Sequence, residues 1–173
     1  FEQQAYPSEG PIGRLLRAGL DGEVKIDRGA YLHLFAADGA DREPVVRKLL
    51  HQGKVIVSDR HPFSSSFAYQ TAIHPLEIVA GVTSPRYFFT IPDITFILDV
   101  PSEVALERLG KRGKGLDAIY EDADLLEYDF RRARYTLLTA VWPNCALLDG
   151  TRSVATNVEA ALKILDHLDT RIN

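Results

Sequence analysis

Three short apolar runs, each followed by polar or proline punctuation that leads into a helical pattern, constrain this chain more than any other feature. The runs are Lys54-Val55-Ile56-Val57-Ser58, Asp93-Ile94-Thr95-Phe96-Ile97-Leu98-Asp99-Val100 and Asn144-Cys145-Ala146-Leu147-Leu148-Asp149-Gly150. Each is rich enough in β-branched or aliphatic side chains to read as a buried strand. Uninterrupted apolar strands imply cover on both faces, and strands separated by helices pair in parallel through crossovers. The expectation is an α/β fold, a three-layer parallel sheet with helices on both faces, whose ligands sit at the carboxyl ends of the strands.

The helical segments fit that frame. Pro11 to Leu20 opens with a proline suited to a first turn and gathers Ile12, Leu15, Leu16 and Leu20 on one face. Gly29 to Gln52 carries Leu32, Phe35 and Ala36 on one stripe, with Pro44 predicting a break or new start. Pro101-Ser102-Glu103 starts a helix running to about Arg112, and Asp124 to Val141 places Leu126, Phe130, Ala133 and Leu137 at helical spacing. Thr156 and Glu159 form a capping box ahead of Val158, Ala161, Leu162, Leu165 and Leu168. Ala72 to Thr90 is the least periodic stretch, and Gly110 to Glu121 reads as a charged loop, a lid at about 110–121.

At 173 residues the chain has the length of one domain. Its net charge of -4 argues against a protein that coats nucleic acid, and no apolar run approaches a membrane span. A single cysteine, Cys145, offers neither an internal disulfide nor a metal-ligand set, so the expected location is cytoplasmic. The sequence contains no methionine and opens on Phe1, from which a truncated or incompletely represented gene product is expected.

Chemistry concentrates after the strands. Asp59-Arg60-His61-Pro62-Phe63-Ser64-Ser65-Ser66 sets a guanidinium where the chain leaves a buried strand and a run of hydroxyls opens the next helix, an arrangement that can bind phosphate bidentately. The bland alternative is an Asp–Arg pair tying a turn to the sheet, with Ser64 as helix cap. Arg108-Leu109-Gly110-Lys111-Arg112-Gly113-Lys114-Gly115 interleaves cations with glycines, as a lid closing on a polyphosphate would; a solvated charged loop is the competing reading. Tyr31, Phe35 and Tyr69 are aromatic candidates for stacking on a planar base, against the alternative of core packing. His61 reads as a turn residue, because phosphoryl transfer rests on positioning and electrostatics more than on a general base.

Taken in order, these segments resemble the thymidylate kinases, P-loop enzymes that move the γ-phosphate of ATP onto dTMP. The resemblance rests on Pro7-Ser8-Glu9-Gly10-Pro11-Ile12-Gly13-Arg14, Leu34-Phe35-Ala36-Ala37-Asp38, Val57-Ser58-Asp59-Arg60-His61, Ser64-Ser65 with Ala68-Tyr69-Gln70, Phe96 to Pro101, and Glu103 to Arg108. It implies the nucleoside monophosphate kinase type of P-loop fold, ATP and Mg²⁺ as cofactors, small-molecule nucleotides as partners and a homodimer for which Gly29 to Gln52 supplies a candidate face. By the same resemblance Arg60 holds the acceptor phosphate beside the Pro7 loop, Asp59 orients Arg60 or the water shell of the metal, and Phe35 stacks on thymine. Tyr69 packs on the deoxyribose, Ser64 or Ser65 meets the base edge, and Arg108, Lys111 and Arg112 approach ATP, with Asp59, Arg60 and Arg112 as the catalytic set.

The chain departs from the family pattern in places. Where the family carries an arginine that donates to the thymine carbonyl, this chain has Gly39, and Arg42 one turn on is the candidate substitute. Asp117-Ala118-Ile119-Tyr120-Glu121 lacks the arginine common there, and Asp59 to Tyr69 is one residue longer than usual. No Gly-x-x-x-x-Gly-Lys-Ser/Thr occurs in the 173 residues, so the resemblance predicts an additional central strand, phosphate loop and helix of roughly 30 residues or more, the size of such a unit. The alternatives to a dTMP kinase are a related deoxynucleoside or nucleotide kinase with another base preference, and a catalytically silent nucleotide-binding paralogue.

Overall fold

A computed structural model describes residues 1–84, 89–111, 125–142 and 144–172. The backbone forms two compact units, one built on Phe1–Ile91 and the other on described residues from Pro92 onward.

The first unit contains β1 (Glu2–Ala5), α1 (Pro11–Leu20), α2 (Ala30–His51), β2 (Ile56–Asp59), α3 (Pro62–Gln70) and α4 (Leu76–Val82). β1 and β2 pair in parallel with Glu2 opposite Ile56 and Ala5 opposite Asp59. The ladder closes at both ends, where Glu2 N–H donates to the Val55 carbonyl (2.8 Å) and Tyr6 N–H to the Asp59 carbonyl (3.2 Å). Leu16 and Leu20 of α1 meet Tyr31 of α2 in a buried cluster, with Ile26, Leu34, Phe35 and Tyr69 packed against it. Leu15, expected on the same face, is exposed.

α2 runs unbroken through Pro44. Pro44 and Ala40, whose carbonyl loses its helical donor to the proline, both lie on the exposed side, where water can serve that carbonyl. α4 falls in the stretch that showed least periodicity.

The second unit contains β3 (Thr95–Asp99), α5 (Ser102–Lys111), α6 (Leu125–Val141), β4 (Cys145–Asp149) and α7 (Val154–Ile172). β3 and β4 pair in parallel from Thr95 opposite Cys145 to Asp99 opposite Asp149. Ile97 and Leu148 are buried, while their ladder partners Leu147 and Leu98 are exposed, so each face of the pair is covered at one strand only. Among the described residues the strands make two parallel pairs, β1–β2 and β3–β4.

Two expectations for this unit change. On α6 the stripe read from the sequence turns outward at Leu126 (74% exposed) and Leu137, whereas Leu138 and Arg131 are buried. Arg131 is tolerated there because Glu127, one turn earlier, accepts from its guanidinium. α7 is capped not at Thr156 but by Ser153, whose hydroxyl accepts from Thr156 N–H (3.2 Å), while Glu159 pairs with Lys163 (2.7 Å). No described helix is long and apolar enough to cross a membrane.

Candidate functional site

A cleft of about 250 Å³ opens in the first unit where β1 and β2 end, and most residues singled out there from sequence line it: Pro7, Phe35, Asp59, Arg60, Ser65 and Tyr69. Ala5 and Asp59 are ladder partners, so the two strand ends set the floor. α2 contributes Phe35, and α3 contributes Ser65 and Tyr69 one turn apart.

Arg60 leaves β2 with φ 69°, in the left-handed region that a side-chain-bearing residue occupies at a cost of roughly 1–3 kcal/mol. Ser58 Oγ donates to the Arg60 carbonyl (2.6 Å), holding the turn. The guanidinium lies 5.9 Å from the centre of the Tyr69 ring. His61, next in the chain, caps α3 by accepting from Phe63 N–H through Nδ1 (3.3 Å) and meets Phe89 edge-on at 5.9 Å. Burial holds its pKa below the usual 6.5, only partly offset by a hydrogen bond to the Thr90 backbone, so the ring stays neutral as the capping bond needs.

The cleft also gathers residues to which the sequence reading gave no individual role. Arg17 of α1 lines it and donates from Nη2 to the Pro7 carbonyl (2.8 Å), which puts a second guanidinium beside Arg60's cavity. Ser66 and Gln70 line it from α3 and are 2% and 1% exposed. Ser65 Oγ, Ser66 Oγ and Gln70 Oε1 have no hydrogen-bond partner among the described residues. Buried polar atoms are ordinarily paired, so three such orphans on one helix wall mark a surface built to meet a polar ligand. The signal was present in the spacing: residues 65 and 69, and 66 and 70, share a face at one helical turn, which leaves Ser64 pointing elsewhere.

Ser64 is accordingly absent from the cleft lining, and its Oγ donates to the His61 carbonyl (3.2 Å). Tyr6 lines the cleft beside Pro7; burial, then the charges of Glu43 and Asp38, pushes its phenol up to about 12, so it enters as a neutral donor.

Gly39 is enclosed. A Cβ there would stand 2.5 Å from Phe89 Cε1 and 2.6 Å from Pro62 Cγ, so neither arginine nor any other side chain fits without displacing that wall. Arg42 does not take over, because its Nη2 donates to Gln4 Oε1 (2.8 Å) and it is not among the lining residues. On the α3 side the cleft therefore presents Ser65, Ser66 and Gln70, and position 39 brings no side chain to it.

Arg108 and Lys111, expected at the phosphate donor, lie in the second unit and are engaged locally. Arg108 Nη1 donates to the Gly150 carbonyl (2.7 Å), and Lys111 pairs with Glu107 (2.5 Å). Arg112 and the lid beyond Lys111 lie outside the described residues.

Comparison with known proteins gives a consistent picture. A family model described as thymidylate kinase matches residues 4–160. A protein of Natronomonas pharaonis named "Probable thymidylate kinase" is 36% identical over 157 residues, 87% of this chain and 76% of that relative. Proteins of the same name from Thermococcus kodakarensis and Methanosarcina barkeri are 30% and 33% identical, over 97% and 82% of this chain and 87% and 70% of their own lengths.

Proposed function

This chain belongs to the thymidylate kinase family, and from that premise we propose that the cleft of the first unit is the seat of dTMP in the transfer of the γ-phosphate of ATP to that nucleotide. Phosphorylation of dTMP is the activity of the family, and the chain is a nucleotide kinase, a transferase of dTTP biosynthesis. The observation that carries the placement is the convergence on one cleft of two guanidinia, the Phe35 and Tyr69 rings and three buried polar atoms without partners among the described residues.

In this reading Arg60 and Arg17 hold the 5′-phosphate from two sides, and Phe35 stacks on thymine. Tyr69 packs on the deoxyribose, and Gln70 with Ser65 or Ser66 meets the base edge. Phosphoryl transfer passes through a loose transition state in which the protein's task is alignment and charge stabilisation. Arg60, fixed by its strained turn and by Ser58, aims a phosphate oxygen without reorganising as the reaction proceeds.

Asp59 stands at the strand end beside Arg60, where it orients the guanidinium or the water shell of Mg²⁺. The described residues contain no group of three or more His, Cys, Asp or Glu that could hold a metal. Such a site suits an ion carried mainly by phosphates and water with one nearby carboxylate, and that ion would supply neutralisation of phosphate charge. Arg108, Lys111 and Arg112 are assigned to the ATP side. The three-layer sheet of the family is likewise part of this proposal, supported by the parallel direction of both strand pairs. So is a homodimer through α2.

Gly39 favours a second reading, a nucleotide kinase of the same type with a different base preference. Coupled kinase assays on dTMP, dUMP, dCMP, dGMP and thymidine separate the two. The proposal expects dTMP to be turned over fastest; equal or faster turnover of another acceptor would overturn the thymine assignment.

A further inference from the structure

The segment Pro7–Gly10, which follows β1 and reaches the cleft at Pro7, is tied down at every residue. Arg17 holds the Pro7 carbonyl (2.8 Å), and Arg14 Nη1 donates to the Glu9 carbonyl (2.5 Å). Gly10 N–H donates to Ser8 Oγ (3.0 Å). Gly13 of α1 sits so close that a Cβ there would fall 2.0 Å from the Ser8 carbonyl oxygen. All these ties are local or come from α1. One tie comes from α2: Asp38 accepts from Ser8 N–H through Oδ2 (2.8 Å) and from Ser8 Oγ through Oδ1 (2.5 Å).

Asp38 is 0% exposed, and among the described residues no ion pair reaches it. A buried carboxylate without an ion-pair partner is costly unless its oxygens are hydrogen-bonded. Here both oxygens close on one residue, Ser8, next to Pro7. On its own helix Asp38 lies one turn after Phe35, which lines the cleft. The carboxylate therefore connects the helix that carries the ring to the wall that carries Pro7 and, through its carbonyl, Arg17.

We propose that Asp38 is a positioning residue for the acceptor nucleotide: its two-point grip on Ser8 sets the distance between the Phe35 ring and the Pro7–Arg17 wall. This rests on the reading of the cleft as the dTMP site. Ser8 N–H and Oγ–H both donate to the carboxylate; in Asp38→Asn the amide oxygen still accepts from Ser8 N–H, but the NH₂ then donates to Ser8 Oγ, so the charge-assisted O–H bond is lost and the buried hydroxyl hydrogen is left without that acceptor. One half of the grip is reversed while the volume is kept.

The test is dTMP binding by calorimetry on the native enzyme and on Asp38→Asn, at a temperature where both are folded, together with steady-state kinetics. Affinity for dTMP falls about tenfold in Asp38→Asn, as a misplaced wall demands. KM for dTMP rises in step, while KM for ATP and kcat stay within about twofold. Ser8→Ala, which keeps the backbone donor, falls about threefold and serves if the aspartate variant does not fold. Because the effect passes through the Arg17 wall, Asp38→Asn costs little further affinity in an Arg17→Ala background and its full tenfold in a Gln70→Ala background. Unchanged dTMP affinity in Asp38→Asn and Ser8→Ala, or full additivity with Arg17→Ala, overturns this inference alone. Failure of the native enzyme to bind dTMP overturns the site reading with it.

Discussion

The ends of the two parallel strand pairs carry similar residues and use them in opposite ways. At the β3–β4 end the polar groups are spent on one another. Arg132 grips both oxygens of Asp99 (2.6 and 2.9 Å), Asp149 takes the Thr151 backbone and hydroxyl and Arg152, Asn157 donates to the Asp149 carbonyl, and Arg108 donates to Gly150. At the β1–β2 end a cleft stays open, three buried polar atoms lack partners among the described residues, and Arg60 is held in a left-handed turn. At one end the described polar side chains are paired with one another. The other keeps hydrogen-bonding capacity and backbone strain in reserve, which is how a binding site differs from a structural turn.

The sharpest way to break this contrast is to exchange the arginines for small residues. Arg60→Gly removes charge-assisted bonds worth roughly 1.5–3 kcal/mol each, so dTMP affinity should fall about 100-fold by calorimetry. The unfolding free energy should hold within about 1 kcal/mol, because relief of the left-handed backbone offsets the lost Tyr69 contact. Arg108→Ala should show the inverse, with dTMP affinity unchanged and unfolding easier by about 1 kcal/mol in a urea titration. Comparable dTMP losses in both variants would erase the distinction.

A smaller effect is expected from placing at position 39 the arginine that the family resemblance implies there. Gly39→Arg should destabilise by about 1–3 kcal/mol through overlap with Phe89 and Pro62, without improving discrimination between dTMP and dCMP. A stable variant with sharper selectivity would show that the wall yields and that the Ser66–Gln70 side does not read the base.

The smallest difference is in response to acid. Burial lowers the pKa of His61, so its contribution to stability is complete above its ordinary value of 6.5 and is lost as pH falls through the lowered folded value. Asp99 is held low first by its hydrogen bond from Arg132, so its contribution is complete above 3.8 and is lost only at more acidic pH. Amide hydrogen exchange from pH 7 downward should therefore show protection at Tyr31 and Leu32 declining before protection at Ile97 and Leu148. The reverse order would contradict the assignment of a neutral, structurally engaged His61.

Much of this was legible from residues alone, and the exceptions have physical causes. β2, β3 and β4 announce themselves through aliphatic runs, but β1 is Glu-Gln-Gln-Ala, whose strand character comes from its ladder with β2 rather than from local propensity. Pro44 signals a break that the solvent-facing side of α2 absorbs. The Asp-Arg-His turn, Phe35 and Tyr69 stood out because their chemistry and order are distinctive. Arg17, Ser66 and Gln70 did not, since an arginine or a serine on an amphipathic helix reads as surface until the helix is docked. Asp38 reads as an ordinary helical acid; only burial against Ser8, thirty positions away, gives it a task.

The most direct test is a crystal structure of the enzyme with dTMP. The phosphate should lie between the guanidinia of Arg60 and Arg17, the thymine ring over Phe35, and its edge within hydrogen-bond distance of Gln70 and of Ser65 or Ser66. A nucleotide found at the β3–β4 end, or a cleft of the first unit left without one at saturating dTMP, would contradict the account.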